Sequence, residues 1–231
     1  MSALHAEPAP LRARVRRDAD RTQAAILAAA TQEFARHGLG GARVDGIAAR
    51  AKTNKRMLYY YFGNKEALFC AVLESAYARI RAAEKELRLV DVDPAEGVRR
   101  LVEFTWSYYL ANPEFMTLLN SENLHRARHL KRSRHVRAMN SPLIDTLAQV
   151  LEHGARRGDF RAGVDALQLY VSIAALSYFY LGNNHTLSAV FGRDLATPRA
   201  RRERLAHMTD VILGYLRPAS RGVDAARARR R

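Results

Sequence analysis

The sequence predicts an all-α protein, with a small N-terminal helix-turn-helix domain followed by a larger helical domain. Apolar residues recur at spacings of three and four in segment after segment, and no run alternates with period two over a strand's length. Capping residues precede proline at Asp93-Pro94, Asn112-Pro113, Ser141-Pro142 and Thr197-Pro198. Such pairs start helices, because proline at the first helical position gives up only an N–H that would be unpaired there. Two short helical patterns also lie close together between residues 44 and 62, the second rich in Lys, Arg and Tyr.

Taken in order, residues 1–20 read as a basic, disordered tail, with Pro8 and Pro10 followed by Arg12, Arg14, Arg16 and Arg17. Asp20 and Gln23 form a candidate capping box for a first helix carrying Ile26, Leu27, Ala30 and Phe34. That helix should stop at Gly38, which can enter the left-handed region after a C-terminus. Val44, Ile47, Ala48 and Ala51 mark a second helix, and Leu58, Tyr61 and Phe62 a third. Asn64 is a good N-cap for a fourth, on which Leu68, Val72 and Ile80 share a face. Further helices are expected near 94–110, 113–121, 142–156, 165–183 and 198–216, with 124–137 helical as well. Asp93 has Glu96 three residues on, a second candidate capping box. These elements give domains at 21–69 and 70–217 and a second basic tail at 218–231.

The 231 residues are 48% hydrophobic, enough for a sizeable core. Lys and Arg outnumber Asp and Glu by 38 to 23, and a net charge of +15 favours a polyanionic partner. A single cysteine, Cys70, can form neither an intrachain disulfide nor a thiol-based zinc site, and fits a reducing cytoplasm. The apolar stretch Val171–Leu181 is too short for a bilayer, which argues against a membrane partner. G-x-S-x-G, the P-loop and H-E-x-x-H are all absent, so neither enzymatic activity nor a cofactor is expected. His125 and His129 stand four apart but lack an evident third ligand, so no metal site is assigned.

The informative segment is Ala42 to Phe69. Small residues Ala48 and Ala51 let its two short helices approach closely, and the second helix must then offer an outward face to the major groove. Lys55, Arg56 and Met57 stand at its N-terminal end. Lys or Arg can donate to guanine O6 and N7 there, and Met can touch a thymine methyl. Tyr59, Tyr60 and Lys65 suit phosphates, Arg43 adds another such contact, and Thr53, Asn54 and Tyr61 complete the DNA-facing set.

These residues resemble the DNA-binding domain of the TetR family. The pattern is carried by Ile26, Leu27, Ala30, Phe34 and Gly38, then by Val44, Ile47, Ala48 and Ala51. It continues through Leu58, Tyr59, Tyr61 and Phe62 to Asn64, Lys65, Glu66 and Leu68. The resemblance implies a homodimer, a palindromic operator on double-stranded DNA, and a helical domain that takes a small-molecule inducer. Family members usually repress transcription. Two departures stand out: Lys52 occupies a turn position that favours positive φ, and Arg43 replaces a hydroxyl residue at the start of the second helix.

Beyond residue 70 the resemblance is one of layout. Trp106, Tyr109, Phe115, Met116, Leu119, Asn123, Tyr170 and Ser177 would suit an apolar ligand pocket with a few polar groups. The same aromatics also suit a simple core. The resemblance implies that the last two long helices pair with their mates in a dimer, and Leu205, Met208, Ile212 and Tyr215 mark one stripe there. Packing within the chain is the alternative for that stripe. Arg126, Arg128, Lys131, Arg132, Arg134 and Arg137 form a basic run with no acid among them.

Overall fold

Helix-forming residues run without a breaker from Leu11 to His37, and the computed structural model, which describes residues 11–218, makes them one helix. α1 (Leu11–Gly41) therefore starts well before Asp20, so residues 11–20 are helical and the Asp20 box caps nothing. Arg, Ala and Leu are good helix formers, and lengthening an existing helix costs no new nucleus. Residues 1–10 and 219–231 of the expected tails lie outside the described residues. The backbone breaks at Gly38 (φ 64°, ψ 178°), where the helix was expected to end.

Next come α2 (Val44–Arg50), α3 (Lys55–Phe62) and α4 (Lys65–Lys85), then α5 (Pro94–Ala111), α6 (Pro113–Leu124) and α7 (Arg134–Arg157). α8 (Ala166–Gly182), α9 (Asn184–Phe191) and α10 (Pro198–Leu216) complete the order, and every regular element among the described residues is helical. Side chains cap as the sequence suggests at several starts. Asn64 accepts from the Ala67 N–H at 2.7 Å, Asp93 from Ala95 at 3.0 Å and Thr197 from Ala200 at 3.2 Å. Glu96 does not close the second half of the Asp93 box, because its carboxylate takes Arg100 at 2.9 Å. Asn112 ends α5 instead of capping α6, its amide donating to the Tyr108 carbonyl at 2.9 Å. Pro142 lies inside α7, so that helix starts eight residues earlier than its proline suggested.

The chain divides into two compact units. One holds the residues up to Ser75 together with Thr117–Ser133, and the other holds Ala76–Met116 with the residues from Arg134 onward. In the first, Ile26, Phe34, Ile47, Leu58 and Leu68 are fully buried, with Phe34 edge-on to Phe69 at 5.1 Å. Of the stretch 124–137 expected to be helical, residues 125–133 form a turn with a short 3-10 element at Leu130–Arg132, and helix resumes at Arg134. Glu122, buried at 2% exposure, organises it. One carboxylate oxygen accepts the N–H groups of His129 and Leu130 at 2.8 and 3.0 Å, and the other meets His129 Nδ1 at 2.6 Å. Arg126 and Ala127 sit in the left-handed region (φ 54° and 56°), which no helix can accommodate. Arg126, Arg128, Lys131 and Arg132 project from this turn, and Arg128 and Arg132 are among its exposed cations.

In the second unit α5 packs on α7, α8 and α10. Phe115 is ringed by Tyr77, Tyr108 and Tyr109 at 5.7–5.9 Å, and Trp106 meets Tyr180 at 5.7 Å. Met208 and Ile212 belong to this core at 0% and 3% exposure. That corrects the expected α10 stripe: two of its four members face their own chain, Leu205 is half-buried, and Tyr215 is exposed beneath the Arg161 guanidinium at 4.5 Å. The exposed apolar residues of these helices are instead Leu167, Val171 and Phe179 on α8, with Val211 and Tyr215 on α10.

Candidate nucleic-acid interface

The helix-turn-helix is held from α1. Arg43 is the N-cap of α2 but supplies no side-chain cap. Glu33 of α1 fills that gap, accepting the Arg43 N–H at 3.1 Å through one oxygen and pairing with Arg50 Nη1 at 3.2 Å through the other. The N–H bond, and after it Arg50, holds the Glu33 carboxyl below its ordinary range even though burial opposes this. The sequence marked the missing cap but not Glu33, whose partner lies ten residues away on another helix. Spacing alone carries no signal for such a contact.

Between α2 and α3 the turn passes through Lys52 at φ 51°, the left-handed position expected of it. Asn54 then caps α3, its Oδ1 accepting from the Met57 N–H at 3.0 Å. Leu58 anchors α3 with no exposed surface. At 100° per residue, Arg56 and Tyr60 lie nearly opposite Leu58, and Met57 and Tyr59 flank them. Exposure follows that geometry: Arg56 is exposed, Tyr60 is 77% and Tyr59 44% exposed, and Met57 is half-buried. Tyr61 is half-buried with its ring edge-on to Tyr60 at 5.2 Å. Thr53 is half-buried in the turn, and Arg43 is exposed at the start of α2.

Two of the expected DNA contacts are already engaged. Lys55 Nζ lies 2.7 Å from Asp45 Oδ1 on α2, and this hydrogen bond raises the lysine's pKa. Lys65, at the first turn of α4, donates to the Gly40 carbonyl at 3.3 Å. Neither Asp45 nor Gly40 stood out in the sequence, since an acidic residue beside a DNA-reading helix runs against simple charge matching.

The candidate ligand residues are divided between the units. Trp106, Tyr109, Phe115, Met116, Tyr170 and Ser177 lie in the second, and Leu119 and an exposed Asn123 in the first. Ser177 is fully buried and donates to the Ile173 carbonyl at 3.1 Å, while Tyr109 and Phe115 stack at 5.9 Å. Tyr170 accepts from Arg81 Nη2 at 2.7 Å. Of the two candidate metal histidines, His129 is taken by Glu122, and His125 Nδ1 meets the Ser121 carbonyl at 2.7 Å. No described helix is long and apolar enough to cross a membrane.

Comparison with known proteins agrees with this architecture. Residues 26–72 match the family described as bacterial regulatory proteins, tetR family, and residues 94–212 match the tetracyclin repressor-like C-terminal domain. The chain is 43% identical to the HTH-type transcriptional repressor NicS of Pseudomonas putida over 86% of its own length and 94% of that protein's. It is also 43% identical to the repressor SCO4008 of Streptomyces coelicolor, over 47% of this chain and 53% of that one. Among solved structures, the putative regulator SCO4942 of Streptomyces coelicolor superposes with a TM-score of 0.63 at 28% identity, over 84% of this chain and 98% of that one. Regulators, not enzymes, make up this group, and the chain belongs to the TetR family of DNA-binding transcriptional regulators.

Proposed function

We propose that the protein is a transcriptional repressor that binds a palindromic operator as a homodimer and is released by a small-molecule inducer. The observation that carries this reading is the outward face of α3, where Arg56 and Tyr60 stand opposite the buried Leu58. Identity to a named repressor over nearly all of that protein's length supports the sign of regulation. On this reading Arg56 and Met57 meet base edges, with Tyr60 beside them. Arg43, Thr53, Tyr59 and Tyr61 contact phosphates, as do the N–H groups at the Asn54 cap and the start of α4. Lys55 and Lys65 join them by exchanging Asp45 and the Gly40 carbonyl for phosphate oxygens.

The exposed apolar residues of α8 and α10 supply the surface for a second copy, since exposed apolar patches of this kind mark interaction sites. A two-fold dimer sets its readers about one DNA turn apart, roughly 34–36 Å. An inducer acts only if it binds the DNA-incompetent arrangement more tightly. Fluorescence anisotropy with the DNA upstream of the protein's own gene, against a scrambled duplex at physiological salt, tests the reading. Preference by about 10³ or more is expected of a site-specific regulator. Equal binding there, and to fragments selected from the whole genome, would overturn it.

A further inference from the structure

In the second unit α4 carries a buried ion pair that packing alone does not explain. Arg81 and Glu84 are 6% and 4% exposed and one helical turn apart, with Arg81 Nη1 2.8 Å from Glu84 Oε2. The contact is an ion pair without hydrogen-bond geometry. Among the described residues no donor hydrogen-bonds to either Glu84 oxygen, and Arg81 Nε–H meets no acceptor. Tyr170 of α8 fixes the guanidinium from one side, accepting from Nη2 at 2.7 Å with its ring 5.4 Å from the guanidinium carbon. Burying charges without full hydrogen bonding is costly, and apolar residues of like size usually serve stability as well or better.

Arg81 and Glu84 are among the residues lining a cavity of about 300 Å³, within the range of small-molecule sites. Its walls are apolar, with Leu89, Val90, Met139 and Leu143 among them, and Lys85 and Arg88 are exposed on its rim. Among the described residues the only other acid lining it is Asp91, so the described cations prevail there even when Glu84 is ionised.

We propose that Arg81 and Glu84 form the recognition end of a site for a small carboxylic acid with an apolar body, bound as its carboxylate. The carboxylate accepts from Arg81 Nε–H, and Glu84, protonated, donates to its second oxygen. The apolar body lies against Leu89, Val90, Met139 and Leu143. This assignment rests on the reading that the helical domain takes a small inducer, and it names the chemistry of that inducer.

The surroundings of Glu84 favour the protonated form through burial and not through charge. Burial pushes its pKa up to about 7, against the opposing pull of Arg81. Tyr108 and Tyr109 of α5 and Tyr170 of α8 feel the Glu84 charge and are themselves raised by burial, so they stay neutral. The α7 residues that line the cavity, Met139, Pro142, Leu143 and Thr146, do not titrate. A bound anion beside Glu84 raises its proton affinity further, so carboxylate binding takes up a proton above neutral pH.

Isothermal titration calorimetry of the full chain tests this, with benzoate and hexanoate as probes and benzamide and hexanamide as uncharged counterparts. Running it in two buffers of different ionisation enthalpy reads the protons taken up. Carboxylates are expected to bind at least about tenfold more tightly than the amides, with proton uptake above neutral pH. Arg81→Met should abolish that preference. Glu84→Gln should keep carboxylate binding and remove the proton uptake. Far-UV circular dichroism and DNA binding establish that each variant is folded. If Arg81→Met is not, Arg81→Lys, which lacks an N–H at the Nε position, should weaken the carboxylates selectively. Equal binding of acids and amides, binding indifferent to Arg81, or no binding of any carboxylate would overturn the proposal. A carboxylate that binds through Arg81 but leaves the DNA complex intact would overturn the inducer reading and leave the site standing.

Discussion

Glu33 on α1 accepts the backbone N–H of Arg43 at 3.1 Å, so the start of α2 is capped by a different helix. The same carboxylate takes Arg50 at the end of α2, and both ends of the seven-residue helix are tied to α1 through one side chain. Glu33→Ala leaves the Arg43 N–H unpaired and should cost about 1–3 kcal/mol in urea denaturation. Because the folded carboxyl titrates below its ordinary 4.5, its contribution is complete above that pH and is lost as pH falls through the lower folded value. The wild-type and variant stability curves should therefore converge in acid.

Lys52 holds a left-handed backbone at φ 51° in the turn between α2 and α3. Glycine adopts that conformation without a steric cost. Lys52→Gly should raise thermal stability by about 0.5–1 kcal/mol, the balance between relieved strain and a more flexible unfolded chain. A fall in the unfolding midpoint would show that the lysine stem contributes packing there.

Asp45 holds Lys55 at 2.7 Å, with both side chains more than half exposed. Exposed pairs of this kind add little to stability, so Asp45→Asn should leave the melting curve essentially unchanged. Its effect should appear on DNA instead. Removing that anion, and the need to break its pair with Lys55, should tighten binding while leaving the salt slope near the wild-type value, since Lys55 meets a phosphate in either case. Anisotropy titrations across a salt series read this directly.

Glu84 predicts a pH effect of opposite sign to that of Glu33. Its folded pKa, about 7, lies above the ordinary 4.5, so the folded state holds the proton longer than the unfolded one. Stability should fall as pH rises from about 4.5 to about 7 and level off above, by a few kcal/mol at most. Glu84→Gln should flatten that limb, as measured by denaturant melts at several pH values.

Val171 and Phe179 on α8 and Val211 on α10 are each at least 43% exposed. Val171→Glu or Val211→Glu places a charge on that surface without touching the core. Either should convert the protein to a monomer in light scattering and weaken operator binding, with secondary structure kept. Met208→Ala, by contrast, removes a fully buried side chain and should cost about 2–5 kcal/mol of stability.

Legibility in the sequence followed the range of the interactions. The reader's anchors Ile47, Ala48 and Leu58, the stop at Gly38, the Asn54 cap and the positive φ of Lys52 are local features, and each could be read from neighbouring residues. Long-range partnerships were not visible. Nothing near Arg43 points to Glu33, and nothing near Arg126 announces that Glu122 will fold residues 125–133 into a turn. α10 is ambiguous for a different reason: Met208 and Ile212 form one apolar row and Val211 and Tyr215 another, so periodicity cannot say which faces inward. α9 went unmarked because its start, Asn183-Asn184, lacks the proline that announced the others.

The turn after α6 owes its form to one acid, since Glu122 supplies acceptors for the N–H groups of His129 and Leu130 and for the imidazole of His129. Shape and surface charge are thereby separated along a single short stretch of chain. Lys131 and Arg132 stand outside that bonding set and are exposed, so relatives can exchange them for neutral or acidic residues without refolding the segment. Evolution can retune the electrostatic character of this side of the protein one codon at a time, while Glu122 itself admits no such freedom.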